Sequence, residues 1–201
     1  MEITEKSILG GVNKKMERRV VITGLGAITP VGNNTEEFWK NIKAGKCGID
    51  EITAFDTTNY KVNARGRLKN YNPEDYFDKR TAKRMDRFSQ FAIIAAKEAW
   101  EDSKLDKEKE NMERVGVILG SGIGGLNTME KDITNLVEKG PDRVSPMFIP
   151  MAICNMAAGN VAIELGIKGE SISMVTACAT GTHCIGESFR MIKNGYQDIV
   201  L

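Results

Sequence analysis

Short apolar runs that stop abruptly at glycine or at a cysteine, with helical sequence between them, constrain this 201-residue chain more than any other feature. Glu17–Gly24 (ERRVVITG), Val115–Leu119 (VGVIL), Ser171–Thr176 (SISMVT) and Asp198–Leu201 (DIVL) are short, β-branched and bounded by turn signals, and read as strands. Phe88, Phe91, Ile94, Ala95 and Ala99 recur at three- and four-residue steps and predict a helix over Arg87–Glu101. Further helices are expected from the Asn34 cap to about Lys43, over Ala152–Leu165, and over Gly181–Asn194 with Gly195 closing its C-terminal end. Residues 46–77 carry no long period and predict loops with short strands. Strands that alternate with helices imply an α/β fold whose parallel sheet is covered on both faces. A parallel strand is normally buried and continued, so the strand-like ending at Leu201 is read as a cut within a sheet. Residues 1–16 read as an extension ahead of a domain over 17–201.

Charge excludes several functions. The net charge of +1 supplies no overall field for nucleic acid or an anionic membrane. No apolar run approaches the roughly 20 residues that cross a bilayer, and the N-terminus lacks the pattern of an export signal. The four cysteines have no zinc-like spacing, so neither metal nor disulfide is expected; a cytoplasmic protein with free thiols is.

The stretch Val175-Thr176-Ala177-Cys178-Ala179-Thr180-Gly181 carries the most chemistry. A strand that runs into a cysteine and straight out into a helix lifts that side chain above the sheet edge. The helix N-terminus favours thiolate over thiol, small neighbours leave room for substrate, and nearby N–H groups can stabilise an oxyanion. A buried cysteine that packs as a small hydrophobe is the competing reading. His183, the one histidine, lies five residues on; at roughly 100° per residue it faces about 140° away from Cys178. It is expected to pack or to hydrogen-bond elsewhere, so a Cys–His pair completed within the chain is not.

Two further motifs need weighing. Gly120–Gly125 (GSGIGG) follows a strand and satisfies the dinucleotide fingerprint, but no acidic residue closes a second strand at the required distance. Its glycines are read as allowing close backbone approach. Lys79, Arg80, Lys83, Arg84 and Arg87 fall at three- and four-residue steps, which is either a solvated face or a docking face for an acidic partner.

Arg18–Gly32 (RRVVITGLGAITPVG), Lys83–Ala92 (KRMDRFSQFA), Gly120–Gly125, Ser145–Gly159 (SPMFIPMAICNMAAG) and Thr176–Ser188 (TACATGTHCIGES) resemble, in order and spacing, the β-ketoacyl-[acyl-carrier-protein] synthases, most closely the synthase II branch. The resemblance implies the N-terminal half of a thiolase-like α/β/α/β/α fold and a fatty-acid condensing activity. It implies that Cys178 accepts the acyl chain, with its N–H in the oxyanion hole. It also implies that Ile123 lines and gates the acyl pocket, and that Phe148 reaches a homodimer interface near the partner's tunnel. Arg80, Lys83 and Arg84 match positions where acyl carrier protein docks, bringing phosphopantetheine as part of the substrate, with no resident cofactor. The family's two histidines are not in this sequence. A non-catalytic carrier-protein-binding half and a polyketide-type synthase are the alternatives.

Overall fold

The computed structural model describes residues 18–201; the expected extension over residues 1–16 lies outside them. The elements run α1 (Thr35–Lys43), β1 (Ile49–Glu51), β2 (Ala64–Gly66), α2 (Lys79–Ala82), α3 (Arg87–Ser103), β3 (Val115–Gly120), α4 (Leu126–Lys139), α5 (Phe148–Ala152), α6 (Met156–Leu165), β4 (Ser171–Met174), α7 (Thr180–Lys193) and β5 (Ile199–Val200). β1 and β2 pair antiparallel as a small separate ribbon. The main sheet has the order β4-β3-β5 and is parallel throughout, with Val117 opposite Ser171, Gly120 opposite Met174 and Val115 opposite Ile199.

Alternation along β3 explains the layers. Val115 and Val117 are fully buried and pack with Ile93 and Trp100 of α3 and with Ala158, Val161 and Leu165 of α6. Small residues on α6 bring it close: Ala157, Ala158 and Val161 retain at most 1% of their exposure. Gly120, at the end of β3, faces the other way, and a Cβ there would lie 1.9 Å from the Thr180 methyl of α7. Helices therefore cover both faces of β3, as the alternation of strands and helices implied.

The capping reading of α1 holds in detail, since the Asn34 side chain accepts the Glu37 N–H at 2.8 Å. Three readings are corrected, and one helix is unexpected. The run ending at Gly24 forms no strand over the described residues 18–24; Val21 and Ile22 are 56% and 78% exposed. Just beyond it, acids on α3 take the amides: Asp102 accepts Leu25 N–H and Glu98 accepts Ala27 N–H. Gly24 and Gly26 let this segment lie on the α3 backbone, where a Cβ would meet the Ala99 and Ala95 carbonyl oxygens. The buried residues of α3 are Ser89, Gln90, Ile93, Ile94 and Trp100, so Ile94 of the expected stripe is buried, while Phe91 turns to pack on Tyr71.

The helix expected over Ala152–Leu165 is split into α5 and α6 around Ile153–Asn155. Finally, α4 is not among the expected helices, although Leu126, Ile133, Leu136 and Val137 recur at helical spacing; that apolar face is the exposed one, while Thr128 and Asp132 are buried.

β5 is tied down by charge. Asp198 accepts hydrogen bonds from Arg114 and Arg18, and these hold its carboxyl down at about 2. A carboxyl depressed by folding contributes stability above its ordinary value of 3.8 and loses it as pH falls towards about 2. The stability gap between the parent and Asp198→Asn should therefore stay constant near neutrality and narrow through that acidic window in pH-dependent urea melts. The carboxyl is 45% exposed, so the gap should be at most about 1 kcal/mol.

Candidate active site

The chain leaves β4 at Met174, makes one 3-10 turn over Ala177–Ala179 and enters α7 at Thr180. Ala177 carries the reversal, with φ at 50° in the left-handed region that disfavours any Cβ. Behind the elbow, the buried Thr180 hydroxyl accepts the Thr176 N–H at 2.8 Å. Cys178 stands on the turn as an exposed thiol. The first N–H groups of such a turn have no partner inside it, and can bond an oxyanion formed at an acyl group on the sulfur. Small-hydrophobe behaviour belongs instead to Cys184, one helical level lower, whose thiol is pushed up by burial.

The glycine-rich turn leaves β3 beside the elbow, at the carboxyl edge of the sheet where open α/β folds present their sites. Gly124 has a φ of 91°, and its N–H donates to the Ser121 hydroxyl. Gly125 N–H donates to the Ala152 carbonyl at 2.8 Å, which joins the turn to α5. Ile123 lies between these anchors and is 61% exposed. Phe148 opens α5 and is half-buried. The segments that carry Cys178, Ile123 and Phe148 are joined by the seat of Gly120 on Thr180 and by the Gly125–Ala152 bond.

A phosphate has no place at this turn despite the fingerprint. The N-terminus of α4 is already occupied by the Asp86 carboxylate, which accepts Thr128 N–H at 2.9 Å. The remaining side of Gly125 is closed by the Met151 carbonyl, 2.4 Å from where its Cβ would stand.

His183 lies 3.8 Å from Glu187 one turn along α7, whereas Cys178 sits in the 3-10 turn ahead of that helix, so the helical angle expected between them does not apply. Among the described residues no group of three or more His, Cys, Asp or Glu side chains is placed to hold a metal, and no helix is long and apolar enough to cross a membrane.

The basic residues lie along one exposed segment, but not on one helix. α2 ends at Ala82, and Asp78 and Asp86 cap α2 and α3 separately. Gln90 fixes the intervening bend by donating to the carbonyls of Ala82 and Met85. Tyr71 donates to Gln90 at 2.6 Å; partial burial pushes this phenol up to about 12. Arg87 stacks on Tyr71 and Phe91 at 5.5 and 5.4 Å. Lys79, Arg80, Lys83 and Arg84 are exposed and form no ion pair among the described residues. The signals missed in the sequence are Ala177 as the reversal point, Thr180 as its brace, and the Asp86–Thr128 contact.

Residues 17–201 match the family model of the β-ketoacyl synthase N-terminal domain. A 3-oxoacyl-[acyl-carrier-protein] synthase 2 of Staphylococcus aureus (strain COL) is 51% identical over 184 residues, 92% of this chain and 44% of that relative. The chain thus spans less than half the length of the curated relatives it matches. The solved ishigamide ketosynthase/chain length factor superposes with a TM-score of 0.84 at 26% identity, over 92% of this chain and 46% of its own. A ketosynthase in complex with a type II polyketide acyl-carrier protein gives 0.73 at 23% identity, over 88% and 47%, and shares the fold. The α/β architecture is that of the thiolase-like ketosynthases, of which the described residues supply one sheet and the helices on both its faces.

The elbow makes its own demand on sequence. Ala177→Val places a β-branched side chain at a positive φ and should lower the unfolding free energy by about 1–2 kcal/mol. Ala177→Gly should cost nothing or stabilise. Urea titration of both variants checks the difference, and equal losses would mean that the reversal is not at residue 177.

Proposed function

The chain belongs to the β-ketoacyl synthase family, and we propose that it carries the acyl-accepting thiol of a 3-oxoacyl-[acyl-carrier-protein] synthase of fatty-acid synthesis. The observation that supports this most is the exposed Cys178 on a left-handed elbow at the N-terminus of α7. In the first step the Cys178 sulfur attacks the carbonyl of an acyl thioester on carrier protein. The C–S bond to phosphopantetheine breaks, and its thiolate leaves. The N–H of Cys178 holds the intermediate's oxyanion. In the second step malonyl-carrier protein loses carbon dioxide, and the resulting carbanion attacks the Cys178 thioester to release 3-oxoacyl-carrier protein. The one histidine of this sequence, His183, lies 3.8 Å from Glu187 on α7, and no part in decarboxylation is assigned to it.

Ile123, on the turn beside the elbow, is assigned to gate the acyl chain, and Phe148 to contact a second copy in a homodimer. Arg80, Lys83 and Arg84 are assigned to dock the acidic carrier protein, whose phosphopantetheine is part of the substrate; the enzyme needs no cofactor of its own. Residues 17–201 form the synthase domain, preceded by an extension over 1–16. The cytoplasm, where four free thiols persist, is the expected compartment. The fatty-acid reading is preferred to a polyketide one because identity is 51% to the fatty-acid relative and 26% to the ishigamide enzyme.

Protein expressed from the complete reading frame, mixed with palmitoyl-carrier protein, should gain the mass of one acyl group. Cys178→Ala should gain none, and an adduct retained in that variant removes Cys178 from the mechanism. Reversing the charge of Arg80, Lys83 and Arg84 together should raise KM for acyl-carrier protein about tenfold or more, and raise it less for an acyl-pantetheine. Equal effects on both would reduce the segment to a solvated face.

A further inference from the structure

Asp86 is the most heavily used buried acid among the described residues, and the proposed chemistry gives it no role. It is 5% exposed and lies between two helix N-termini. One carboxylate oxygen accepts the Phe88 N–H and caps α3, its own helix. The other crosses to α4, where it accepts the Thr128 N–H at 2.9 Å and the Thr128 hydroxyl at 2.6 Å. The capping position of α4 is Gly125, which has no side chain to satisfy the first turn. Asp86 is therefore the N-cap of α4, supplied from a different element. A Cβ at Gly125 would stand 2.4 Å from the Met151 carbonyl oxygen and 3.0 Å from the same carboxylate oxygen, so a bare backbone gives both their room.

α4 begins directly after the glycine-rich turn. On its far side the turn is also held by the Gly125–Ala152 bond and by the close seat of Gly124 on the Ala152 carbonyl. On its near side it is fixed by the seat of Gly120 against Thr180. Ile123, between the two ends, is 61% exposed. Its position is set by the anchors.

We propose that Asp86 and Thr128 act as positioning residues for Ile123, and that they thereby set how strongly Cys178 discriminates between long and short acyl chains. The proposal rests on the reading of Ile123 as the gate to the acyl pocket. Asp86 also ends the basic segment, so the surface assigned to carrier-protein docking and the turn beside the nucleophile meet at one carboxylate.

The readout is the ratio of Cys178 acylation rates with palmitoyl- and butanoyl-carrier protein, measured by intact mass on protein from the complete reading frame. Thr128→Val keeps the shape and the N–H bond but removes the hydroxyl bond. It should shift the ratio by at least about threefold, in the same direction as Ile123→Ala, with the butanoyl rate unchanged. The double variant should shift it no further than Ile123→Ala alone, because the two act in series. Asp86→Asn, of the same size, should behave as Thr128→Val does and provides a second route to the answer. A shift in Ile123→Ala without one in Thr128→Val or Asp86→Asn overturns the positioning role and leaves the gate standing. No shift in Ile123→Ala overturns the gate reading and this proposal with it. Equal slowing with both acyl chains marks the contact as purely structural and also overturns the proposal.

Discussion

The site depends on one close contact, that of Gly120 with Thr180. A Cβ at Gly120 would sit 1.9 Å from the Thr180 methyl and 2.6 Å from the Met174 carbonyl oxygen. Only a bare backbone at the end of β3 lets the first residue of α7 seat on the sheet. Once seated, the Thr180 side chain is buried and its hydroxyl is aimed back at Thr176 N–H. That bond closes the path of the chain between β4 and α7, and Ala177 is left to absorb the reversal at a positive φ. Strain of this kind persists only where its surroundings over-determine it. Here the surroundings are a glycine on one strand, a threonine on a helix, and the parallel register that places Gly120 opposite Met174.

The glycine-rich turn shows how one sequence pattern serves two physical ends. In a dinucleotide site the glycines clear space for a pyrophosphate at a helix N-terminus. Here the space is filled by protein: Gly120 by Thr180, Gly124 by the Ala152 carbonyl, and Gly125 by Met151 and Asp86. The anion at the N-terminus of α4 is a carboxylate from the preceding helix. An internal anion satisfies the same unpaired N–H groups that a phosphate would, so the motif alone does not distinguish the two cases.

Those contacts also mark where the sequence stops being legible. Strands β3 and β4, the caps of α1 and the course of α7 follow from periodicity and from local signals, because they are set by burial and by neighbours in sequence. Cys178 is legible for the same reason, since a strand–cysteine–helix junction is local. What cannot be read is whatever depends on partners far along the chain. The apolar run before Gly24 looks like a strand, yet the amides that follow it bond to Glu98 and Asp102 on α3. α4 buries Thr128 and Asp132 and exposes Ile133 and Val137, so its pattern points away from the side it packs on. Asp132 accepts the Ser145 N–H and Asp86 accepts from Thr128, contacts that spacing cannot reveal. The break between α5 and α6 similarly follows the Gly125–Ala152 bond, an attachment to a different element.

The geometry further separates two halves of the proposed chemistry. Moving an acyl group from one thioester to another exchanges sulfur for sulfur, so it needs a reachable thiolate, a donor for the oxyanion, and no net source of driving force. An exposed cysteine on an elbow at a helix N-terminus offers a reachable sulfur and nearby N–H groups from within a short stretch of chain. Decarboxylation differs, because charge develops on the malonyl carbon and its thioester oxygen, at a distance from the sulfur, and must be met by donors positioned there. His183, the one histidine of this sequence, lies 3.8 Å from Glu187 one turn along α7. The demands of acyl transfer and of decarboxylation thus fall on different atoms, and the elbow geometry bears on the first of them.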